Sequence, residues 1–190
     1  MDHLKFYQLV SSKFLNINAK IHPIKRKNQK SYEIIIGVTR LLETFKKLEI
    51  DFSDPPKPPK WIINNPELFG AYIAGIIDGD GNINTKRPEN PQCSIRIFSG
   101  IFQEELLKSI MANFNCKCHI TKRERESILN GRKIRGVTYA LEFYVSNKNM
   151  NILRRYILPW IQIQRKRNKL ESHIRIKWAR PDSNQRSFGR

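Results

Sequence analysis

The sequence predicts an α+β chain whose main unit runs helix, strand, strand, helix, strand, strand, helix. Three observations carry this. Several segments repeat apolar residues at helical spacing, alternating segments rich in β-branched residues lie between them in pairs, and one proline-rich stretch divides the chain. With 39% hydrophobic and 10% aromatic residues over 190 positions, there is enough apolar side chain to build a core.

The elements follow in order. Leu4 to Leu15 places Leu4, Tyr7, Leu9, Val10 and Phe14 near one helical face. Lys20 to Lys27 and Ser31 to Val38 read as a strand pair joined across the polar Asn28-Gln29-Lys30, and Leu41 to Leu48 reads as a helix. Residues 1–50 make a first block. A linker over residues 51–65 contains Pro55-Pro56-Lys57-Pro58-Pro59, which forbids helix and sheet and favours an extended connector.

The main unit spans residues 66–178. Asn65 is placed to cap a helix that has Pro66 at its first position and Glu67 in its first turn, running to Asp78. Strands are expected at Asn82 to Lys86 and Cys93 to Ser99, then a helix at Phe102 to Phe114 with Leu106, Leu107, Ile110 and Phe114 on one stripe. Further strands at Lys117 to Arg123 and Tyr139 to Ser146 precede helices at Asn149 to Leu158 and from Ile161 to about Trp178. Residues 179–190 have no period and read as a disordered tail.

An internal repeat links the two blocks. Lys20, His22, Lys25 and Arg26 match Lys117, His119, Lys122 and Arg123 at a constant offset, and Glu33 matches Glu142 after an insertion in the second hairpin. The first block then reads as a copy lacking its opening helix and first two strands.

Charge narrows the partner. Thirty-five Lys plus Arg against seventeen Asp plus Glu give a formal charge of +18, and such an excess on a foldable chain points to a polyanion, since each cation on a phosphate releases condensed counterions. The longest nearly unbroken apolar run, Leu68 to Ile77, is about half of the roughly 20 residues that span a bilayer. The amino-terminal residues lack the pattern of a secretory signal. The expected compartment is the cytoplasm, at the nucleoid, or an organelle matrix, with neither secretion nor a membrane partner. Cys93, Cys116 and Cys118 form no even disulfide framework and no C-x-x-C zinc pattern, so reduced thiols are expected.

The chemistry concentrates in Ala71-Tyr72-Ile73-Ala74-Gly75-Ile76-Ile77-Asp78-Gly79-Asp80-Gly81. Gly70, Ala71, Ala74 and Gly75 strip one helix face of side-chain bulk, so a second helix can approach there closely. Asp78 and Asp80 stand at the helix C-terminus, where the dipole opposes negative charge. A divalent cation would offset that cost, with glycine allowing close backbone approach. The other reading is a solvated Asp-Gly turn leading into a strand. An EF-hand is excluded, because Asp78, Asp80, Asn82 and Glu89 fall at ligand positions but Ile83 occupies the obligatory glycine position.

Ile73 to Gly81, reading I-A-G-I-I-D-G-D-G, resembles the signature of the LAGLIDADG homing endonucleases. The resemblance extends over Pro66 to about Trp178, and the first block resembles the distal part of a preceding repeat. It implies an αββαββα fold with a saddle-shaped antiparallel sheet that binds double-stranded DNA, and two signature helices packed together over a shared metal-dependent active site. It also implies a site-specific endonuclease encoded by a mobile intron or similar element, with Mg²⁺ ions shared between the two helices. Asp80 would be the metal-binding carboxylate with the Gly79 carbonyl assisting, and Asp78 would lie beside the partner helix. The family's lysine after its last conserved proline has Gln164 at the matching position, so Lys166 or Arg165 would have to substitute. Only one signature helix is present. The chain would therefore homodimerise, pair with a missing half encoded upstream, or persist as a non-cleaving binder, either a maturase of intron RNA or a DNA-binding regulator.

Strand alternation supplies the expected reading surface. Asn82, Asn84 and Lys86 share one face of the first strand, followed by Arg87; Ser94, Arg96 and Phe98 share a face of the second; Lys117, His119, Thr121 and Arg123 share a face of the third. Such a face suits a major groove, where Arg pairs with guanine and Asn with adenine. Arg123, Arg125, Arg132, Lys133 and Arg135 surround a long hairpin tip suited to phosphates.

Overall fold

The structure is a computed structural model that describes residues 2–15, 18–26, 29–35, 39–50, 57–86, 92–129 and 132–179. The chain divides into two compact units, residues 1–59 and 60–190. It is α+β, with antiparallel sheets throughout.

The first unit is α1 (Asp2–Leu15), the hairpin β1 (Lys20–Arg26) and β2 (Gln29–Ile35), and α2 (Thr39–Lys47). The hairpin register sets His22 opposite Glu33. The same pair recurs in the second unit, where His119 lies opposite Glu142. The sequence offset thus coincides with a shared register, which chance similarity between two basic strands would not require.

The second unit begins at residue 60 rather than 66. Ile62 and Ile63 on the short helix α3 (Lys60–Ile63) pack against the core, so the extended connector is shorter than the sequence suggests. Residues 51–56 of that connector lie outside the described residues, as do residues 180–190 of the expected tail. Helix α4 (Pro66–Asp80) opens as anticipated: Asn65 Oδ1 accepts from the Glu67 and Leu68 N–H groups at 3.0 and 3.2 Å, with Pro66 at the first helical position. It continues two residues past the expected end and passes directly into β3 (Gly81–Lys86). A Cβ on Gly81 would lie 2.5 Å from Ile77 Cα, so only glycine lets the chain leave the helix this closely.

The remaining elements are β4 (Gln92–Ser99), α5 (Glu104–Phe114), β5 (Cys118–Leu129), β6 (Arg132–Val145), α6 (Met150–Tyr156), a 3-10 turn at Leu158–Trp160 and α7 (Gln164–Ala179). The sheet order is β3-β4-β6-β5. Ile83, Cys93, Ile95, Ile97, Leu141, Phe143 and Val145 form its inner face and bury against Phe69, Ile73 and Ile77 of α4, Leu106, Ile110 and Phe114 of α5, Leu153 of α6, and Leu170 and Ile174 of α7. Phe69 stacks on Phe114 with ring centroids 5.3 Å apart. Burying such a side chain stabilises the fold by roughly 1.5–3 kcal/mol. The helices of this unit cover one face of the sheet, and none of its described elements covers the other.

β5 and β6 outrun the sheet. β4 pairs with β6 only from Cys93↔Val145 to Ser99↔Tyr139, whereas β5 and β6 remain paired out to Leu129↔Arg132. The distal part is therefore a two-stranded ribbon projecting past the β4 edge.

Candidate functional site

The site is built where α4 meets β3. Asp80 is the last helical residue and is exposed, and Gly79 beside it is exposed as well. Asp78 is half-buried, and its carboxylate is engaged. Oδ2 accepts the Gln162 N–H at 2.6 Å and Oδ1 accepts the Ile163 N–H at 3.3 Å. These donors immediately precede α7, so Asp78 closes the start of that helix from a distant part of the chain, in the manner of an N-cap. Its negative charge is misplaced for the dipole of α4 but well placed for that of α7. No cation is needed to explain its presence.

Lys166 completes the junction. Its side chain is buried, and Nζ donates to the Ile77 and Asp78 carbonyls at 2.6 and 3.0 Å. Those carbonyls lie in the last turn of α4, where the Ile77 oxygen also accepts the Gly81 N–H, and an ammonium there opposes the negative pole of the helix. Burial holds the Lys166 pKa below its ordinary value, against the nearby Asp78 and Asp80 charges that raise it. One turn on, Lys169 Nζ donates to the Ile83 carbonyl at 3.3 Å. Gln164 is exposed and donates through Nε2 to Asn168 Oδ1 at 2.6 Å along its own helix. Of the side chains to which the resemblance points, Asp78 and Lys166 thus hold backbone groups, Gln164 bonds within α7, Arg165 is exposed, and Asp80 presents a carboxylate that none of the described hydrogen bonds engages.

The anticipated small-residue face of α4 divides. Gly70 and Ala74 are buried. A Cβ on Gly70 would run into the Tyr156 backbone carbonyl, so this glycine serves the contact with α6 inside the unit. Ala71 is half-exposed, while Gly75 and Gly79 are exposed, and a Cβ on either glycine would meet nothing within 4 Å. Leu68 is 42% exposed on this outward side. The physical reason is rotation about the helix axis: the burial of Phe69, Ile73 and Ile77 turns Gly70 and Ala74 inward with them.

The open sheet face carries most of the expected reading residues. Register places Asn82 beside Arg96, then Glu142, then His119 across four strands, and Asn84 beside Ser94 and Tyr144. Lys86 ends this face on β3, and Asn82 Nδ2 donates to Asn84 Oδ1 at 3.0 Å. Arg87 lies outside the described residues. Lys117, His119, Thr121, Arg123 and Arg125 are exposed on β5 or immediately before it, on the same alternation.

Glu142 is the member of this face whose part the sequence alone did not assign. Arg96 Nε lies 3.0 Å from its Oε1, and Ser94 is 6% exposed beneath the pair. Burial opposes the Glu142 charge, but hydrogen bonds with Arg96 and Ser94 outweigh it and bring the carboxyl below its ordinary range. Arg96 and Ser94, anticipated as free readers, are therefore partly committed to an acid at the centre of the face. Tyr144 is 45% exposed nearby, with its ring 6.3 Å from that of His119. Only the strand register brings these residues together.

On the ribbon, alternation separates the basic residues. Arg123, Arg125 and Arg132 continue the open face, whereas Lys133 and Arg135 fall on the face that continues the helix-covered side. There Lys133 Nζ and Arg135 Nε meet Glu126 at 2.6 and 2.7 Å. Exposed pairs of this kind are worth at most about 1 kcal/mol, yet they neutralise local charge.

Among the described residues, no three His, Cys, Asp or Glu side chains gather around one point, and no helix is long and apolar enough to cross a membrane. No protein-family model and no curated protein matches the chain.

Proposed function

We propose that residues 60–179 form a DNA-reading unit of the LAGLIDADG homing endonuclease kind, acting in metal-dependent hydrolysis of a phosphodiester. The observation that carries this reading is the junction of α4 and β3: a helix with an open small-residue face ends in exposed Asp80 and enters, without a loop, the edge strand of a sheet whose open face carries Asn82, Asn84, Arg96 and His119. Backbone support from Asp78 and Lys166 fixes where that helix ends. The repeated His–Glu register of the first unit supports reading it as the distal part of a preceding repeat.

The donor set suits Mg²⁺ in one respect. Mg²⁺ is commonly held by one or two carboxylates together with waters and substrate phosphates, and Asp80 with the Gly79 carbonyl offers half of such a set. When bound, the ion supplies Lewis-acid stabilisation and an activated water. Asp80 orients that chemistry at the helix end, and the cationic ribbon positions the phosphate backbone. A second carboxylate comes from a second helix laid against Ala71, Gly75 and Gly79, contributed by another copy of the chain or by a separate half.

A non-cleaving binder of DNA or intron RNA is favoured by one specific observation: Lys166 donates to backbone carbonyls and Gln164 to Asn168, so neither side chain is held for work at Asp80. The deciding experiment incubates the full chain and Asp80→Asn with Mg²⁺ and a duplex spanning the insertion point of the element that encodes it. Cleavage lost in the variant supports the endonuclease. Salt-sensitive binding without cleavage by either protein supports the binder, and absence of duplex and RNA binding at low salt overturns both.

A further inference from the structure

The chain leaves α5 at Asn115, whose φ of 47° and ψ of 49° put it in the left-handed region that asparagine tolerates better than most residues. Cys116-Lys117-Cys118 follows, the last residue opening β5. Both cysteines pack partly buried against the core, while Lys117 is exposed. Their sulfurs lie 3.9 Å apart, and Cys116 Sγ is also 3.7 Å from the Ile110 carbonyl on α5.

That separation discriminates between two uses of a thiol pair. A disulfide needs its sulfurs about 2.05 Å apart, with matching approach of the Cβ atoms. A three-coordinate metal ion bound about 2.3 Å from each thiolate, with its bonds opened to a trigonal angle, spaces the sulfurs by about 4.0 Å. The observed spacing matches the bite of an ion and is far from a covalent bond. Thiolates are soft ligands that favour Cu(I) or zinc. Structural zinc sites close with four protein ligands, whereas no third His, Cys, Asp or Glu joins this pair among the described residues.

We propose that Cys116 and Cys118 form a two-thiolate site for soft, thiophilic Cu(I), with an external small thiol filling the third coordination position. Binding of the ion releases the thiol protons of both cysteines to solvent. Cys93 is an internal control: it is 1% exposed, and burial pushes its thiol up to about 12. None of the residues assigned above to DNA or Mg²⁺ takes part, so the site stands or falls independently of that reading.

The test delivers Cu(I) without oxygen from a chromophoric Cu(I) chelator to the reduced full chain. The expected result is transfer of one equivalent to wild type and to Cys93→Ala, and none to the Cys116→Ser/Cys118→Ser double variant. Each single variant should weaken binding by more than the roughly 10- to 100-fold typical of losing an outer-shell partner. On wild type itself, Cu(I) should protect Cys116 and Cys118 from alkylation, as read by peptide mapping. Copper retained by the chelator, uptake that survives in the folded double variant, or alkylation unchanged by Cu(I) would overturn the proposal.

Discussion

Asp78 and Gln162 are 84 positions apart in the chain, and the Gln162 N–H donates to Asp78 Oδ2 at 2.6 Å. The bond ties the end of α4 to the start of α7, and Lys166 returns the favour from α7 to the Ile77 and Asp78 carbonyls. Two oppositely charged side chains thus cross between two helix termini of opposite polarity, each at the pole that suits its sign. Asp78 therefore has a structural task in the D-G-D motif that Asp80 does not share.

Replacing each separates them experimentally. Asp78→Ala should lower stability by about 1–2 kcal/mol, the scale of a lost N-cap, as measured by chemical denaturation. Asp80→Asn should leave stability unchanged or raise it by up to about 1 kcal/mol, because it removes a negative charge from a helix C-terminus. It should abolish any Mg²⁺-dependent cleavage. Equal destabilisation by both changes would contradict the division of labour.

Gly70 and Gly75 should respond in opposite directions to alanine. A Cβ at Gly70 meets the Tyr156 carbonyl, so Gly70→Ala should cost about 1–3 kcal/mol as an overpacking change. Gly75 has open space, and Gly75→Ala should stabilise the isolated unit by about 0.5–1 kcal/mol through helix propensity. If a second helix docks on this face, Gly75→Ala should also weaken self-association measured by sedimentation. A destabilising Gly75→Ala in a monomer would argue against the exposed position.

His173 makes the fold sensitive to acid. It is 2% exposed, its Nε2 has no partner among the described residues, and burial lowers its pKa from 6.5, aided by Lys177 and opposed by a hydrogen bond with the Val145 backbone. The unfolded chain then binds more protons than the folded one below about pH 6.5, so stability present above that pH declines as pH falls through it. Denaturation midpoints should drop between pH 7 and 5, and His173→Leu should flatten that portion of the profile even if its overall stability is lower. A slope unchanged by the substitution would assign the acid sensitivity elsewhere.

The ribbon residues should differ in nucleic-acid binding. Arg123 and Arg125 extend the open face, whereas Lys133 and Arg135 are paired with Glu126. Arg123→Ala and Arg125→Ala should each reduce the salt dependence of duplex binding by about one phosphate contact. Lys133→Ala and Arg135→Ala should change it less, as titrations at several salt concentrations would show. Equal losses at all four positions would mean that both ribbon faces meet the polyanion.

The order of elements in the second unit was legible in the sequence because local physics writes it there. Asn65-Pro66 caps α4, and alternation separates Ile83, Ile95 and Ile97 from Asn82, Ser94 and Arg96. The exposed position of Asp80 and the α+β class follow the same local rules. The orientation of α4 was not legible, since Gly70, Ala71, Ala74 and Gly75 form one stripe on a helical projection. Which part of the stripe faces inward depends on Tyr156 and on the other core side chains.

What the sequence determined by itself was the chain's periodicity, its single break and its cationic character, all set by neighbours within a few positions. Tertiary structure decided the partners of its charges. Asp78 meets the Gln162 amide, Lys166 the Ile77 carbonyl, Glu142 the Arg96 guanidinium and Glu126 the ribbon cations. Hydrogen bonds act only over a few ångströms, so contacts between residues far apart in the chain depend on strand register and helix packing. The same charge can therefore be a cap or a neutralised pair, according to what folding brings beside it.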